Sequence, residues 1–361
     1  MIVDKDKNMD LVSFKDQQLY LGIDVHKRQW TVTVMSESLS LKTFSQPSKP
    51  EALKSFLDHQ YPGALIKCAY ESCKIGYWIY RTLCSYGYDC LVVNAADIPS
   101  TNKESAEKTD TNDSKKIAKA LRAGLLRGIY IPSVEYEGYR QLFRYRKKLW
   151  SDLVRVKNRI RDKLLCQGIR PPEGLEDRYW SKKYVRWLWE VELPSQCMRL
   201  TLDRLLDQYE LVRMHLLKVN GELRKVARHS ALQPTATLLR SIPGIGPLTT
   251  AQLMSEIVDI DRFESFKKFN GYIGLKPTSH SSGDRDLRGR LTYRSHSSLR
   301  STLIECAWVS IRKDPALSLC YEQLTQRMTG KRAIVKIARK LLSRIYHVLK
   351  HREPYVLSVV K

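Results

Sequence analysis

The chain has 361 residues, 43% of them hydrophobic, with 62 Lys and Arg against 38 Asp and Glu, a formal charge of +24. That length and apolar content exclude a disordered or fibrous chain and allow two or three domains with cores of their own. The basic surplus points to a polyanionic partner, nucleic acid before any other. Eight cysteines form no Cys-x-x-Cys pair, so neither a zinc site nor a disulfide framework is expected, and they read as buried free thiols. The opening MIVDKDKNMDLVSFKDQQ lacks a basic-then-apolar signal. No window approaches the ~18 apolar residues that span a bilayer, so no membrane partner and a cytoplasmic location are expected.

From Leu19 to Ile131 short apolar strands alternate with helical stretches. YLGIDVHK, WTVTVMS and SLKTF read as three consecutive antiparallel strands, ALIKCAYE as a fourth, YDCLVVN as a fifth and GIYIPS as a short sixth. GYWIYRTLCSYG, closed by Gly87, and SKKIAKALRAGLL have helical spacing. The expectation is an α/β domain that begins as a meander and continues in βα units.

Beyond Pro132 the strands stop. Leu142, Leu149, Leu153, Val156, Ile160 and Leu164 recur at threes and fours with one break, and Leu202, Leu205, Tyr209, Val212, Leu216, Val219, Leu223 and Val226 alternate 3, 4, 3, 4. That is a coiled-coil seam, open to pairing within the chain, across the Pro- and Trp-bearing segment 170–196, or with another chain. The first helix carries RYRKKLWSDLVRVKNRIRDK, a face whose Lys147, Lys148 and Arg155 are candidates for phosphate contact. From about 230 a mostly helical third part follows. Its Pro243-Gly244-Ile245-Gly246 turn resembles a helix-hairpin-helix, in which glycine amides at a helix start meet a backbone phosphate, although glycine turns also serve plain helix packing. Two further helices with basic faces are expected over 294–312 and 331–351.

Four acids stand out. Asp24 interrupts the apolar strand YLGIDVHK, Glu71 ends ALIKCAYE, and Asp110 and Asp113 open the helix in KTDTNDSKKIAKAL, three residues apart on one side. Singly each reads as a cap or a surface acid; together, on strand, strand and helix, they resemble the layout of ribonuclease H-like nucleases. Carboxylates so gathered hold two Mg²⁺ ions. Farther on, HSSGDRDLRGR is too polar for a core and too strongly patterned for an idle linker.

GIDVHK, AYE, KTDTNDSKKIA, LRSIPGIG, GYIGLKP and HSSGDRDLRGR, in that order over about 18–315, resemble the transposases of insertion sequence family 110 and its 1111 subgroup, together with the related Piv-type DNA invertases. The resemblance implies an α/β RNase H-like (RuvC-like) domain over 18–133 with a DEDD acid set, a helical coiled-coil linker over 134–229, and a mostly α-helical transposase domain over 230–361 with a serine nucleophile. Carried over, the acids are Asp24, Glu71, Asp110 and Asp113, serving as metal ligands and catalytic residues. The nucleophile is Ser282, immediately before Gly283, with Ser281 in reserve. Mg²⁺ would lower the serine's proton affinity and balance charge on the pentavalent phosphorus, while Arg285, Arg288 and Arg290 position the scissile phosphate. The partners implied are the DNA of element ends and target, a structured bridge RNA, and further copies of the chain as dimer or tetramer, in a bacterial or archaeal nucleoid. A Piv-type invertase, a RuvC-like endonuclease using water, and a non-catalytic nucleic-acid-binding protein are the competing readings.

Overall fold

The computed structural model describes residues 14–99, 109–176, 179–229, 232–282, 285–292 and 295–357, without the side chains of 279–290. Contacts divide the chain into two compact units, Met1–Ile131 and Pro132–Lys361.

The first unit is a mixed α/β domain. Strands β1 (Gln18–Val25), β2 (Gln29–Met35) and β3 (Ser40–Pro47) form the expected antiparallel meander, and β4 (Leu65–Glu71) and β5 (Asp89–Val93) join parallel to β1. The order across the sheet is β3-β2-β1-β4-β5. One face, with Leu19, Leu21, Ile23, Cys68 and Tyr70, packs against helices α1 (Pro50–Gln60) and α2 (Trp78–Ser85). Helix α1 was not anticipated, yet its sequence is orthodox: Pro50 starts it and Leu53 and Leu57 bury one stripe. The expected sixth strand is instead a single bridge, Val93 to Gly128. Pro132, which has no N–H to donate, ends the segment soon afterwards.

The other face carries helix α3 (Asp110–Arg122), whose Ile117, Ala120 and Leu121 pack on Ala69 and Val93. Gly22 lets it approach, since a Cβ there would overlap the Ser114 carbonyl oxygen and the Ala118 amide nitrogen. Below that helix Ser114 Oγ lies 2.9 Å from Thr33 Oγ1, a buried pair that sets the crossing. Gly22→Ala is expected to cost about 3 kcal/mol, the upper end for overpacking, as a lowered urea midpoint. A midpoint unchanged from wild type would mean that the helix moves aside.

The second unit is mostly helical. Helices α4 (Val134–Cys166) and α6 (Gln196–Val226) run antiparallel: Arg146 donates to Asn220 (2.7 Å) near one end, and Lys157 lies over Tyr209 farther along. Leu149, Leu153, Val156, Ile160 and Leu164 pack on Leu202, Leu206, Tyr209, Leu216, Val219 and Leu223, with the short α5 (Lys182–Glu190) completing the cluster. Leu206 is more deeply placed than the expected Leu205 or Val212, which are only partly buried. A helix has 3.6 residues per turn, so a strict heptad drifts off the contact line unless the pair supercoils.

A larger cluster gathers α7 (Gln233–Arg240), α8 (Pro247–Ile257), α9 (Phe266–Ile273), α10 (Ser297–Ser310), α11 (Pro315–Thr325) and α12 (Gly330–His351). Between α9 and α10 the polar stretch around HSSGDRDLRGR is an antiparallel hairpin, β6 (Pro277–Ser282) with β7 (Arg285–Leu291). Alternating Thr, Ser and Arg tolerate a two-stranded ladder although no apolar face announces it. The cysteines are free as expected, but Cys73, Cys84, Cys166 and Cys197 are exposed rather than buried. Among the described residues no helix is long and apolar enough to cross a membrane.

Candidate active-site residues

The acids of the first unit meet because of Gly22. With α3 lying on β1 at that point, its first turn falls near Asp24. Asp24 Oδ2 is 3.1 Å from His26 Nε2, which is 3.5 Å from Asp110 Oδ1. Ligand atoms of these three residues lie within 4.8 Å of one another. Burial pushes the Asp24 carboxyl up, as do Asp110 and Asp113, while His26 pulls it down. Asp24, raised first by burial and then by Asp110 and Asp113 with His26 in opposition, would be relieved by a divalent cation bound between it and Asp110. The start of α3, capped by Thr109 accepting from the Asn112 amide, adds the favourable end of a helix dipole.

Of the four expected acids, Asp24 and Asp110 thus come together. Asp113 acts on Asp24 electrostatically and accepts from Lys116 at 3.4 Å. Glu71 ends β4 one residue beyond the Ile23–Tyr70 pairing with β1 and lies outside the compact group. His26 was missed. Its signal lay in GIDVHK, where His26 follows Asp24 by two residues, just past the end of β1.

In the second unit Ser282 ends β6 opposite Arg285, the first residue of β7, and Ser281 is opposite Asp286. Arg288 pairs with Ser279 and Arg290 also lies in β7; Gly283 lies outside the described residues. The base of this hairpin is well tied. Thr292 N donates to Lys276 O (3.1 Å), and His296 N to Tyr272 O (3.1 Å). One nitrogen of Arg300, Nη1, donates to Thr292 O and Ser295 Oγ (3.0 Å each) and to Gly274 O at 3.4 Å.

Beside the base lies Glu256, its side chain 3% exposed. Burial alone would raise its carboxyl, but hydrogen bonds and charge from His296 and Arg144 hold it at about 2. An ordinary glutamate in the unfolded chain titrates near 4.5, so the stability Glu256 contributes is present at neutral pH and lost as pH falls from there toward about 2. That component is about 3 kcal/mol. Urea denaturation at pH 7 and pH 3 should show the wild type losing more stability on acidification than Glu256→Gln; equal losses would refute it.

The Pro243–Gly246 turn has two different glycines. Gly244, at φ +91, packs so closely on α10 that a Cβ would overlap Ser310 Oγ, and Ser310 donates to Pro243 O at 2.6 Å. Packing therefore suffices to require it. Gly246, which caps α8, has open space where a Cβ would be. On α4, Lys147, Lys148 and Arg155 are exposed, and Arg155 pairs with Asp152 at 2.9 Å.

An acid group on a mixed sheet, in a strongly basic chain with a helical second unit, suits an enzyme acting on nucleic acid, and comparison with known proteins makes the class a DNA transposase or recombinase. Residues 236–322 match the model described as "Transposase IS116/IS110/IS902 family", and residues 21–167 match a second transposase model, of IS110 type and bearing the DEDD designation. The chain belongs to the IS110 transposase family. It is 28% identical to putative transposase y4qE of Sinorhizobium fredii over 66% of this chain and 57% of that protein. With the transposase for insertion sequence element IS1111A of Coxiella burnetii it shares 26% identity over 79% of this chain and 78% of that one. A pilin gene-inverting protein of Moraxella bovis is 34% identical over 34% of this chain and 39% of its own.

Proposed function

We propose that this protein moves its own insertion element by cutting and rejoining DNA with a serine nucleophile and a metal-binding acid set. The observation that carries the reading is the meeting of Asp24 and Asp110 beneath the start of α3. The strand order β3-β2-β1-β4-β5, antiparallel then parallel, supports an RNase H-like (RuvC-like) fold for that unit. Asp24 and Asp110, with Glu71 and Asp113 as the remaining members of the set, would hold the cation. When bound, a divalent ion such as Mg²⁺ lowers the proton affinity of an attacking hydroxyl and balances charge on the phosphoryl group.

The chain's own residues do the rest. Ser282 Oγ attacks phosphorus, its bond to phosphorus forms as the bond to the leaving strand's oxygen breaks, and the serine proton passes to a nearby base. The phosphoserine link keeps the bond energy, so the strand's new hydroxyl partner can reseal without ATP. Arg285, Arg288 and Arg290 would position the phosphate. Consecutive strand residues belong to opposite faces of a ladder, so Ser281 and Ser282 are not interchangeable positions. The same reading includes parts at 18–133, 134–229 and 230–361, the middle one a coiled coil, with assembly into dimers or tetramers in the nucleoid. Phosphate contacts from Lys147, Lys148, Arg155 and the amides at Gly244 and Gly246 belong to it as well, as does a structured guide RNA; the charge of +24 suits either polyanion. Likeness to the pilin gene-inverting protein favours, as a second reading, inversion by the same chemistry.

The test is to incubate the protein with end-labelled element DNA and RNA transcribed from the element's flanks, with Mg²⁺ or with EDTA, and to run denaturing gels. A protein-linked DNA band that needs Mg²⁺ supports the reading. Cut DNA without such a band transfers the attack to water, and no cutting leaves a binding protein.

A further inference from the structure

A carboxylate as deeply buried as Glu256 is tolerated only when its lone pairs are met, and here its partners come from two separate parts of the second unit, α4 and the exit of the β6–β7 hairpin. From α4, Arg144 binds in bidentate fashion, Nε to Oε1 at 3.1 Å and Nη2 to Oε2 at 3.2 Å, and Arg140 Nε lies 3.4 Å from Oε2. Arg140 also donates to the Ser255 and Glu256 carbonyls (2.8 and 3.2 Å). From the exit of the β6–β7 hairpin, His296 Nε2 lies 3.2 Å from Oε2. His296 accepts at Nδ1 from the Leu299 amide, capping α10, which places its proton on Nε2, aimed at Glu256. From the last turn before the hairpin, the Tyr272 hydroxyl donates not to the carboxylate but to the main-chain carbonyl of Glu256, at 3.2 Å. The exit of the hairpin and the long helix are therefore fastened to the Glu256 carboxylate, and its entry to the same residue's main chain, while Ser282 ends β6 at the far end from these ties.

We propose that Glu256 is a positioning residue for the serine-bearing hairpin, its carboxylate locking the exit of the hairpin to α4 through His296 while its main chain holds the entry, so that the strands keep one direction. This rests on the proposed role of Ser282, and the two can fail separately. A hairpin of two polar strands has little stability of its own, so its direction must come from its base. An error of about 1 Å in presenting a nucleophile slows chemistry by about 10²-fold.

His296→Asn isolates the link. Asn keeps the helix cap, with its side-chain oxygen where Nδ1 accepted, but is too short to reach Glu256. Glu256→Gln keeps the volume and removes the charge. With element DNA at saturation and well below the melting temperature, both variants should form the protein-DNA adduct about 10- to 10²-fold more slowly, with DNA affinity within about twofold of wild type. Hydrogen exchange should quicken at the amides of 274–296 by a larger factor than within α12, where only the change in global stability is felt. Adduct and exchange rates equal to wild type in both variants overturn the proposal. So does parallel loss of melting temperature, DNA affinity and cleavage, which marks a merely structural residue. Faster exchange in His296→Asn, with no adduct even in the wild type, would remove the serine chemistry and leave the tether standing.

Discussion

Asp24→Asn is expected to reduce strand cleavage by on the order of 10³-fold, the upper range for removing one preorganised electrostatic group, with DNA binding unaffected. The amide matches the carboxylate in size, so packing beneath α3 is conserved and only the charge facing Asp110 and His26 changes. The folded protein should not suffer, because burial and the neighbouring acids already disfavour the ionised Asp24. A divalent ion at a hundred times its dissociation constant would stabilise the wild type by about 2.7 kcal/mol, and the variant should show much less of this rise in melting temperature. Cleavage at the wild-type rate would remove the acid group from the mechanism. Lost cleavage with an unchanged Mg²⁺ response would keep the residue but move the ion elsewhere.

Ser282→Ala should eliminate the protein-linked DNA band altogether, while Ser281→Ala retains it. A neighbouring hydroxyl cannot substitute readily, because adjacent positions of a strand belong to opposite faces of the ladder and differ by several ångströms in what they approach. DNA affinity and melting temperature should remain at wild-type values, because the serine ends β6 at the hairpin's turn and away from its base. Reversal of the two results would keep the chemistry and reassign the nucleophile. Persistence of the band in both single variants would exclude each serine as the sole attacking group.

Much of the fold was legible because its signals are local. Five strands and both expected helices of the first unit follow from alternation, apolar runs and glycine stops within a few residues of each element. The long helices α4 and α6 follow from their periodicity, although Leu206 took the place expected of Leu205 because helical pitch does not follow a strict heptad. GIYIPS misled: it looks like a strand, but pairing depends on a neighbour's edge and only one bridge forms. The β6–β7 hairpin has no local signal because no apolar face marks it, and its ladder comes from backbone pairing.

The same division runs through the site. Composition, charge and the spacing of Asp24, Glu71, Asp110, Asp113 and the serine pair were enough to indicate a nucleic-acid-processing chain with an acid set, since residue type and order are properties of the chain itself. That Asp24, His26 and Asp110 share one point, and that α3 lies so close to β1, depends on Gly22, where a Cβ would overlap the backbone of α3. That Glu256 binds α4 and both feet of a hairpin could not be read from its surroundings in MSEIVDI, because its partners lie as far as 116 residues away along the chain. Periodicity reports which face of an element is buried, and only three-dimensional packing determines against what.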